Sequence, residues 1–338
     1  MRAPKVRAVD PSSERRGPWD DSHETETIMK VTVLGASGGS GQAIVSELAA
    51  RGHAVTAVSR GGDIRVPTGT RSAAADLYDP ASTRSACADT DVVVLAAMPP
   101  YHAWQGNFDS MLDTVLDAVA TAGARLVFVD NLYMYGPATG PMSESSPEHA
   151  TGKGALRRAV ADRILADERV SAAIGRFSDY YGPGATNSFV HDMFLRPAVA
   201  GNPMQVMLAD DQPHTFHYLP DAARAFATLV EHPEADGRAW ILPAAPPMTQ
   251  GELASVVNSL LPSPVRVTRI SAPLLALASL VSRQAREGRK VAHQFDRPWV
   301  VDASAFEDEF GPMTHTEHHQ AIAATLAWLT DSTSTTPR

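Results

Sequence analysis

The heptad Gly35-Ala36-Ser37-Gly38-Gly39-Ser40-Gly41 constrains this chain more than any other segment. It lies between an apolar run, Val31 to Leu34, and a segment carrying Ile44, Val45 and Leu48 on one helical side. A strand that turns on glycines straight into a helix presents backbone N–H groups at the helix N-terminus, where phosphate charge is favoured. Glycines at 35, 38 and 41 permit the tight turn and let the backbone approach a pyrophosphate. A glycine pattern alone is weak, because such turns are common; the strand before it and the helix after it supply the specificity. Gly35, Ser37, Gly38, Gly39, Ser40 and Gly41 are therefore the expected dinucleotide cradle.

The strand-then-helix rhythm continues. Short apolar runs recur at 54–58 (AVTAV), 91–95 (DVVVL) and 126–129 (LVFV), with a weaker one at 171–174. Between them, Phe108, Met111, Leu112, Val115, Leu116 and Val119 fall at helical spacing, as do Leu156, Val160 and Ile164. Such alternation predicts parallel strands buried on both faces, hence an α/β chain with a Rossmann doubly wound parallel sheet whose ligands bind at the carboxyl ends of the strands. After about residue 178 the rhythm loosens and prolines multiply. Thr249 with Glu252, and Thr314 with Glu317, read as capping boxes before apolar helices. VRVTRI (265–270) alternates like a half-exposed strand. The expected organisation is a dinucleotide-binding core over 30–177, with 215–245 returning to it. Residues 178–214 and 246–329 then form a smaller mixed α/β C-terminal substrate lobe. Residues 1–29 read as a disordered extension, with Met29 an alternative start, and 330–338 as a frayed tail.

Composition removes several function classes. Twenty-nine Lys+Arg against 38 Asp+Glu give a net charge of −9, which lacks the broad positive field that nucleic acids select. Cys87 is the only cysteine, excluding an intrachain disulfide framework and fitting a reducing, cytoplasmic location. The apolar run Pro273 to Val281 falls far short of the roughly 18 residues of a membrane span. His315, His318 and His319 lack a carboxylate cluster beyond Glu317, so they read as a solvated first helical turn and no metal site is expected.

Further short motifs follow the glycine loop in order: Asp76-Leu77, Ala96-Ala97, Tyr135-Gly136-Pro137, Lys153, Arg176 with Tyr181-Gly182-Pro183-Gly184, and Phe216 to Ala223. With the GxxGxxG spacing, this set resembles the extended and atypical branches of the short-chain dehydrogenase/reductase superfamily, within which it is most similar to NAD-dependent epimerase/dehydratase proteins. The resemblance covers about residues 30–329. It implies a nicotinamide dinucleotide, with Asp76 and Leu77 beside the adenine and Ala96 and Ala97 along the cofactor. It also implies pairing into homodimers through helices of the sheet. NAD-preferring members carry an acidic residue after the second strand, whereas this chain has Ser59-Arg60. A guanidinium and a hydroxyl suit a 2′-phosphate, so NADP is expected over NAD; the plainer reading of Arg60 is a solvated loop residue.

At the catalytic positions the chain departs from the resemblance, which implies a Tyr four residues before Lys153 and a Ser or Thr after the fifth strand. The first position is His149, and the second segment reads Asp130-Asn131-Leu132-Tyr133-Met134-Tyr135. Three readings stand. His149 acts as acid/base, its ordinary pKa lying near neutrality; or Tyr133 or Tyr135 moves the proton, with Asn131 orienting the substrate oxygen; or no side chain does so. Tyr135 belongs to a turn and reads as structural. Lys153 keeps the ribose-holding role that the resemblance implies.

Pro99, Tyr101 and Trp104 follow the fourth strand, and Asp179, Tyr180, Asn187 and His191 follow the sixth, forming a substrate-side neighbourhood joined more weakly by His217 and Trp299. Arg196, Arg224 and Arg297 are candidates to meet a diphosphate, while the apolar stretch 203–208 suits a smaller carbonyl compound. The expected function is an NAD(P)-dependent oxidoreductase, or an epimerase/dehydratase, acting on a small carbonyl, alcohol or sugar-like substrate. Net redox chemistry is favoured over isomerase or lyase chemistry. The alternatives are a dinucleotide-binding sensor without catalysis, or a non-redox lyase or isomerase on the same fold.

Overall fold

The computed structural model describes residues 27–100 and 103–334. Most of the expected N-terminal extension, Tyr101, and residues 335–338 lie outside the described residues. The first half alternates β1 (Lys30–Leu34), α1 (Gly39–Ala50), β2 (Ala54–Ser59), β3 (Arg71–Ala74), α2 (Pro80–Cys87), β4 (Val92–Leu95), α3 (Trp104–Ala122), β5 (Arg125–Asp130), α4 (Lys153–Ala166) and β6 (Ala172–Arg176). There follow β7 (Tyr180–Tyr181), α5 (Arg196–Val199), β8 (Met204–Met207), β9 (Pro213–His214), β10 (His217–Tyr218), α6 (Leu219–Glu231) and β11 (Ala239–Ile241). The chain ends through β12 (Met248–Thr249), α7 (Gln250–Leu260), β13 (Val267–Ile270), α8 (Ala272–Val281), α9 (Arg283–Val291), α10 (Ser304–Phe310) and α11 (His318–Ser334).

Seven strands form one sheet in the order β11-β6-β5-β4-β1-β2-β3, and every pairing in it is parallel. The apolar runs occupy its centre: all four residues of β4 are buried. The edge strand β3 is mostly exposed, which is why it shows no apolar run. On one face α1 and α6 pack Ile44, Val45 and Leu48 with Ala222, Phe226 and Leu229. On the other, α3 and α4 contribute Phe108, Met111, Leu112, Val115, Val160 and Ile164. A separate apolar cluster joins Tyr181, Phe194, Phe216, Leu253, Val257 and Ile322 from the later chain.

Capping at Thr249 is as expected, with both capping-box hydrogen bonds formed to Glu252. At Thr314 it is not. Buried Asp221 accepts from the Thr316 backbone N at 2.7 Å and from Thr316 Oγ1 at 2.8 Å. These bonds tie the 314–317 segment to α6 outside any helix, and α11 begins only at His318. His318 is also drawn from solvent, lying 3.0 Å from the Tyr181 hydroxyl and 2.8 Å from the Pro246 carbonyl. The expected frayed tail is shorter than the sequence suggests, because α11 continues to Ser334.

Beneath the carboxyl ends of the central strands lies a buried charge cluster. Asp130, the last residue of β5, accepts from Arg157 Nε at 2.6 Å and from Arg176 Nε at 3.3 Å. Arg176 also donates to the Tyr135 hydroxyl at 3.0 Å and to Glu148 at 3.1 Å. Truncating Asp130 leaves two guanidinium groups without their shared carboxylate, so Asp130→Ala is expected to lower unfolding free energy by about 3–5 kcal/mol in urea titration. A second expectation follows from His191 and His217. Burial pushes each imidazole down to about 4, so the unfolded chain binds more protons between that value and its ordinary pKa of about 6.5. Stability therefore falls as pH drops through this window, and the slope of urea midpoint against pH is shallower in His191→Phe.

Candidate functional site

At Gly35, Gly39 and Gly41 the glycine loop is held by backbone contacts that leave no room for a side chain. Gly35 has φ +92°, and a Cβ there would lie 2.5 Å from the Ala97 backbone N. A Cβ on Gly41 would lie 2.4 Å from the Gly35 carbonyl oxygen, and one on Gly39 2.8 Å from that of Gly184. Gly38 serves as the α1 N-cap, so the first N–H groups of α1, which have no partner within a helix, open beside the loop.

That loop floors a cleft of ≈ 1080 Å³ at the carboxyl ends of the strands. Its centre is the β1/β4 boundary, where strand order reverses and doubly wound sheets bind ligands. Gly35, Ser37, Gly38, Gly39, Ser40 and Gly41 all line it. Ser59, Arg60, Asp76 and Leu77 form one end, and Ala96, Ala97, Pro99 and Trp104 continue the wall. Ser59 Oγ accepts from the Gly62 backbone N at 3.0 Å, which folds the loop so that exposed Arg60 borders the cleft. Asn131, Tyr133, Asp179, Tyr180 and Asn187 line the remainder. Burial, reinforced by the Asp179 charge, pushes the Tyr180 phenol up to about 12.

A family model described as NAD dependent epimerase/dehydratase family matches residues 31–242. The chain belongs to this family. Among solved structures it is similar to MoeE5 in complex with UDP-glucose and NAD, at 21% identity and TM-score 0.72, covering 90% of this chain and 99% of that one. It is also similar to DesIV, a dTDP-glucose 4,6-dehydratase from Streptomyces venezuelae with NAD bound, at 17% identity and TM-score 0.73, covering 90% of this chain and 98% of that one. The UDP-glucuronic acid 4-epimerase from Bacillus cereus gives 14% identity and TM-score 0.73, covering 90% of this chain and 100% of that one. Comparison with curated proteins by sequence returns no match.

The dinucleotide implied by the epimerase/dehydratase family fits what the loop presents: backbone at the glycines, a helix N-terminus, and no acidic side chain at Ser59-Arg60. The catalytic candidates separate. Tyr133 lies on the cleft wall, its ring stacked on Trp104 with centroids 6.4 Å apart. Asn131 Oδ1 accepts from the Tyr133 backbone N at 3.1 Å, fixing that turn. Helix α4 docks directly on it, since a Cβ on Gly154 would lie 2.3 Å from the Tyr133 carbonyl oxygen. His149, expected as one possible acid/base, does not line the cleft: its side chain is exposed, and its carbonyl packs against Gly136, where a Cβ would approach to 2.6 Å. Tyr135 is buried on Arg176 below the site. His191 does not line the cleft either; it is fully buried and faces Trp328, with ring centroids 6.2 Å apart.

Lys153 lies beside the cleft, 3.4 Å from Glu287 of α9 and 4.7 Å from the centroid of the Trp104 ring. Burial lowers its pKa, opposed by Glu287. The arginines expected to meet a diphosphate are engaged elsewhere: Arg196 by Asp192 and the Thr186 carbonyl, Arg224 by Asp221 and the Thr314 carbonyl, Arg297 by Asp296. Among the described residues, the arginines that do line the cleft are Arg60 and Arg157. Arg157 was not among the sequence candidates, nor was α9, which brings Glu287, Gly288 and Val291 to the cleft. Arg157 sits one helical turn after Lys153, a spacing that could have drawn attention to it. No metal-binding group of His, Cys, Asp and Glu occurs among the described residues, nor does any helix long and apolar enough to cross a membrane.

The glycine contacts are testable. Gly41→Ala forces backbone apart and is expected to lower unfolding free energy by about 1–3 kcal/mol. At Gly38 a Cβ meets only the Gly35 carbonyl oxygen, at 3.5 Å, so Gly38→Ala is expected to keep the urea midpoint near that of the unaltered protein.

Proposed function

We propose that the cleft holds a nicotinamide dinucleotide, NADP(H) in preference to NAD(H), and that the protein interconverts an alcohol and a carbonyl group on a small sugar-like substrate, either as net redox chemistry or as half of an epimerisation. The observation that carries this reading is the glycine loop, whose backbone packing leaves a helix N-terminus facing a cleft long enough for a dinucleotide and a second molecule. The similar structures named above hold NAD with nucleotide sugars, or bear names of sugar-nucleotide enzymes, which supports the substrate class. When bound, the dinucleotide supplies or accepts hydride; the protein contributes position and proton management.

In this reading the diphosphate lies on Ser37 to Gly41, and the adenosine ribose lies between Ser59, Arg60 and Asp76. Tyr133 and Asn131 face the reacting oxygen from the β5 side, and Trp104 and Tyr180 wall the substrate. Lys153 reaches the ribose once Glu287 exchanges its partner for Lys290, which already lies 2.8 Å from it. The charge balance and the depth of the cleft support a small-molecule ligand over nucleic acid. The lone buried thiol of Cys87, pushed up to about 11 by burial, suits a reducing cytoplasm but takes no part in the site.

Arg60 tests the cofactor assignment. A charge-assisted contact to a 2′-phosphate is worth about 1.5–3 kcal/mol, so Arg60→Ala is expected to weaken NADPH binding at least about tenfold while NADH binding changes little. Tighter binding of NADH than NADPH by the unaltered protein would overturn the preference. Tight dinucleotide binding with no oxidation across aldehydes, ketones and nucleotide sugars would point instead to a sensor.

A further inference from the structure

The chain lacks a tyrosine at the position where the resemblance puts the proton donor, and His149 does not line the cleft. A proton must still accompany hydride. Asp179 lines the cleft three residues beyond β6. Its Oδ2 lies 3.0 Å from His214 Nε2, while His214 Nδ1 lies 3.2 Å from the Gln294 carbonyl oxygen. That carbonyl can only accept, so this contact is a hydrogen bond only when Nδ1 carries a hydrogen. A neutral ring would then turn its Nε2 lone pair onto a carboxylate oxygen, placing two acceptors in contact.

The surroundings make that arrangement costly. His214 is 2% exposed and packs between Phe216 and Phe295, at centroid distances of 4.4 Å and 5.2 Å. Acceptors facing each other away from water forfeit hydrogen bonds on both sides. A neutral ring therefore satisfies only one of its two contacts, whereas a ring hydrogen on each nitrogen would satisfy both. His217, equally buried, shows the ordinary solution: its Nε2 faces the Leu242 carbonyl while its Nδ1 accepts from the Ser178 backbone N, so a neutral ring satisfies both. His214 has no such donor. Asp179 Oδ1 makes no hydrogen bond among the described residues, whereas Oδ2 is committed to His214.

We propose that Asp179, backed by His214, is the proton-transfer group of this cleft and stands in for the missing tyrosine. The proposal rests on the hydride-transfer reading above. In the oxidising direction Asp179 Oδ1 takes the hydroxyl proton as the O–H bond breaks, the freed pair forms the C=O bond, and hydride leaves the carbon. In the reducing direction hydride adds to the carbonyl carbon, the C=O π pair moves onto oxygen, and that oxygen takes the proton from Oδ1, leaving a carboxylate. Asp179 is the group that touches the substrate; His214 is a positioning residue that keeps both ring hydrogens and holds Oδ2.

The test combines a spectroscopic and a kinetic measurement. In 15N-imidazole NMR of the unliganded full-length protein at pH 7.5, His214 is expected to show both ring nitrogens protonated, and Asp179→Asn to return it to a singly protonated ring. A singly protonated ring in the unaltered protein would overturn the proposal. In turnover with NADPH and the best carbonyl substrate, Asp179→Asn is expected to lower kcat at least about 100-fold, the lower end for lost acid/base catalysis. The NADPH Kd should stay within about threefold, and Tyr133→Phe should cost less in kcat than Asp179→Asn. His214→Gln keeps a donor for Asp179 but lacks the ring's second hydrogen and its charge, so the pH profile of kcat moves to higher pH with KM unchanged. Retention of kcat by Asp179→Asn, with loss in Tyr133→Phe, would transfer the role to Tyr133 and sink the idea. If the unaltered protein turns over no carbonyl compound, the hydride reading fails, and the imidazole signal still decides whether the ring keeps both hydrogens.

Discussion

Everything at the mouth of the sheet depends on one carboxylate. Asp130 ends β5 and has no exposure to solvent, yet it binds two arginines from different elements, Arg157 on α4 and Arg176 on β6. The Arg157 guanidinium also lies over Phe128 and Phe108, at 4.8 Å and 5.3 Å from their ring centroids, and donates to the Val129 carbonyl at 3.0 Å. A charge held this deep is tolerable only when its partners are complete, because desolvation of each ion costs several kcal/mol. The cluster therefore fixes α4 to β5 and β6 more strictly than apolar packing would. It thereby sets where Tyr133, Lys153 and Asp179 emerge.

The sheet and its glycine loop were legible because their signals are local. Buried parallel strands must be apolar along their length, and a turn under a phosphate must be glycine wherever backbone meets backbone. The same logic identified the cap at Thr249. The misreadings share a different cause. Thr314-Glu317 has the spacing of a capping box, but Asp221, almost a hundred residues earlier, captured Thr316 first. His149 lies four residues before Lys153 as a catalytic residue would, but Gly136 admits its backbone and leaves its ring outside. Asp179 was legible as a wall residue, but its partner His214 was not, because nothing in sequence ties the end of β6 to β9. The roof was equally hidden: α9 is strongly basic and polar, so its sequence reads as a solvated helix even though Glu287 reaches Lys153.

The later chain does more than cover the cleft. Segments 283–299 bring Glu287 beside Lys153, the Gln294 carbonyl against His214, and Phe295 onto the His214 ring. A single stretch thus contacts both Lys153 and His214, one through a carboxylate and the other through a carbonyl. The sheet carries the glycine loop, while this stretch supplies one polar partner to each of those two side chains.

The contact between Gly39 and Gly184 couples the two ends of the cleft mechanically. With no side chain at either position, the first turn of α1 rests on the backbone of the Tyr181-Gly182-Pro183-Gly184 loop, and that loop is the direct continuation of the segment bearing Asp179. Close-packed backbone transmits displacement rather than absorbing it. A ligand that shifts the start of α1 therefore also moves the strand end where Asp179 is mounted, so filling the glycine-loop end of the cleft is felt at the other.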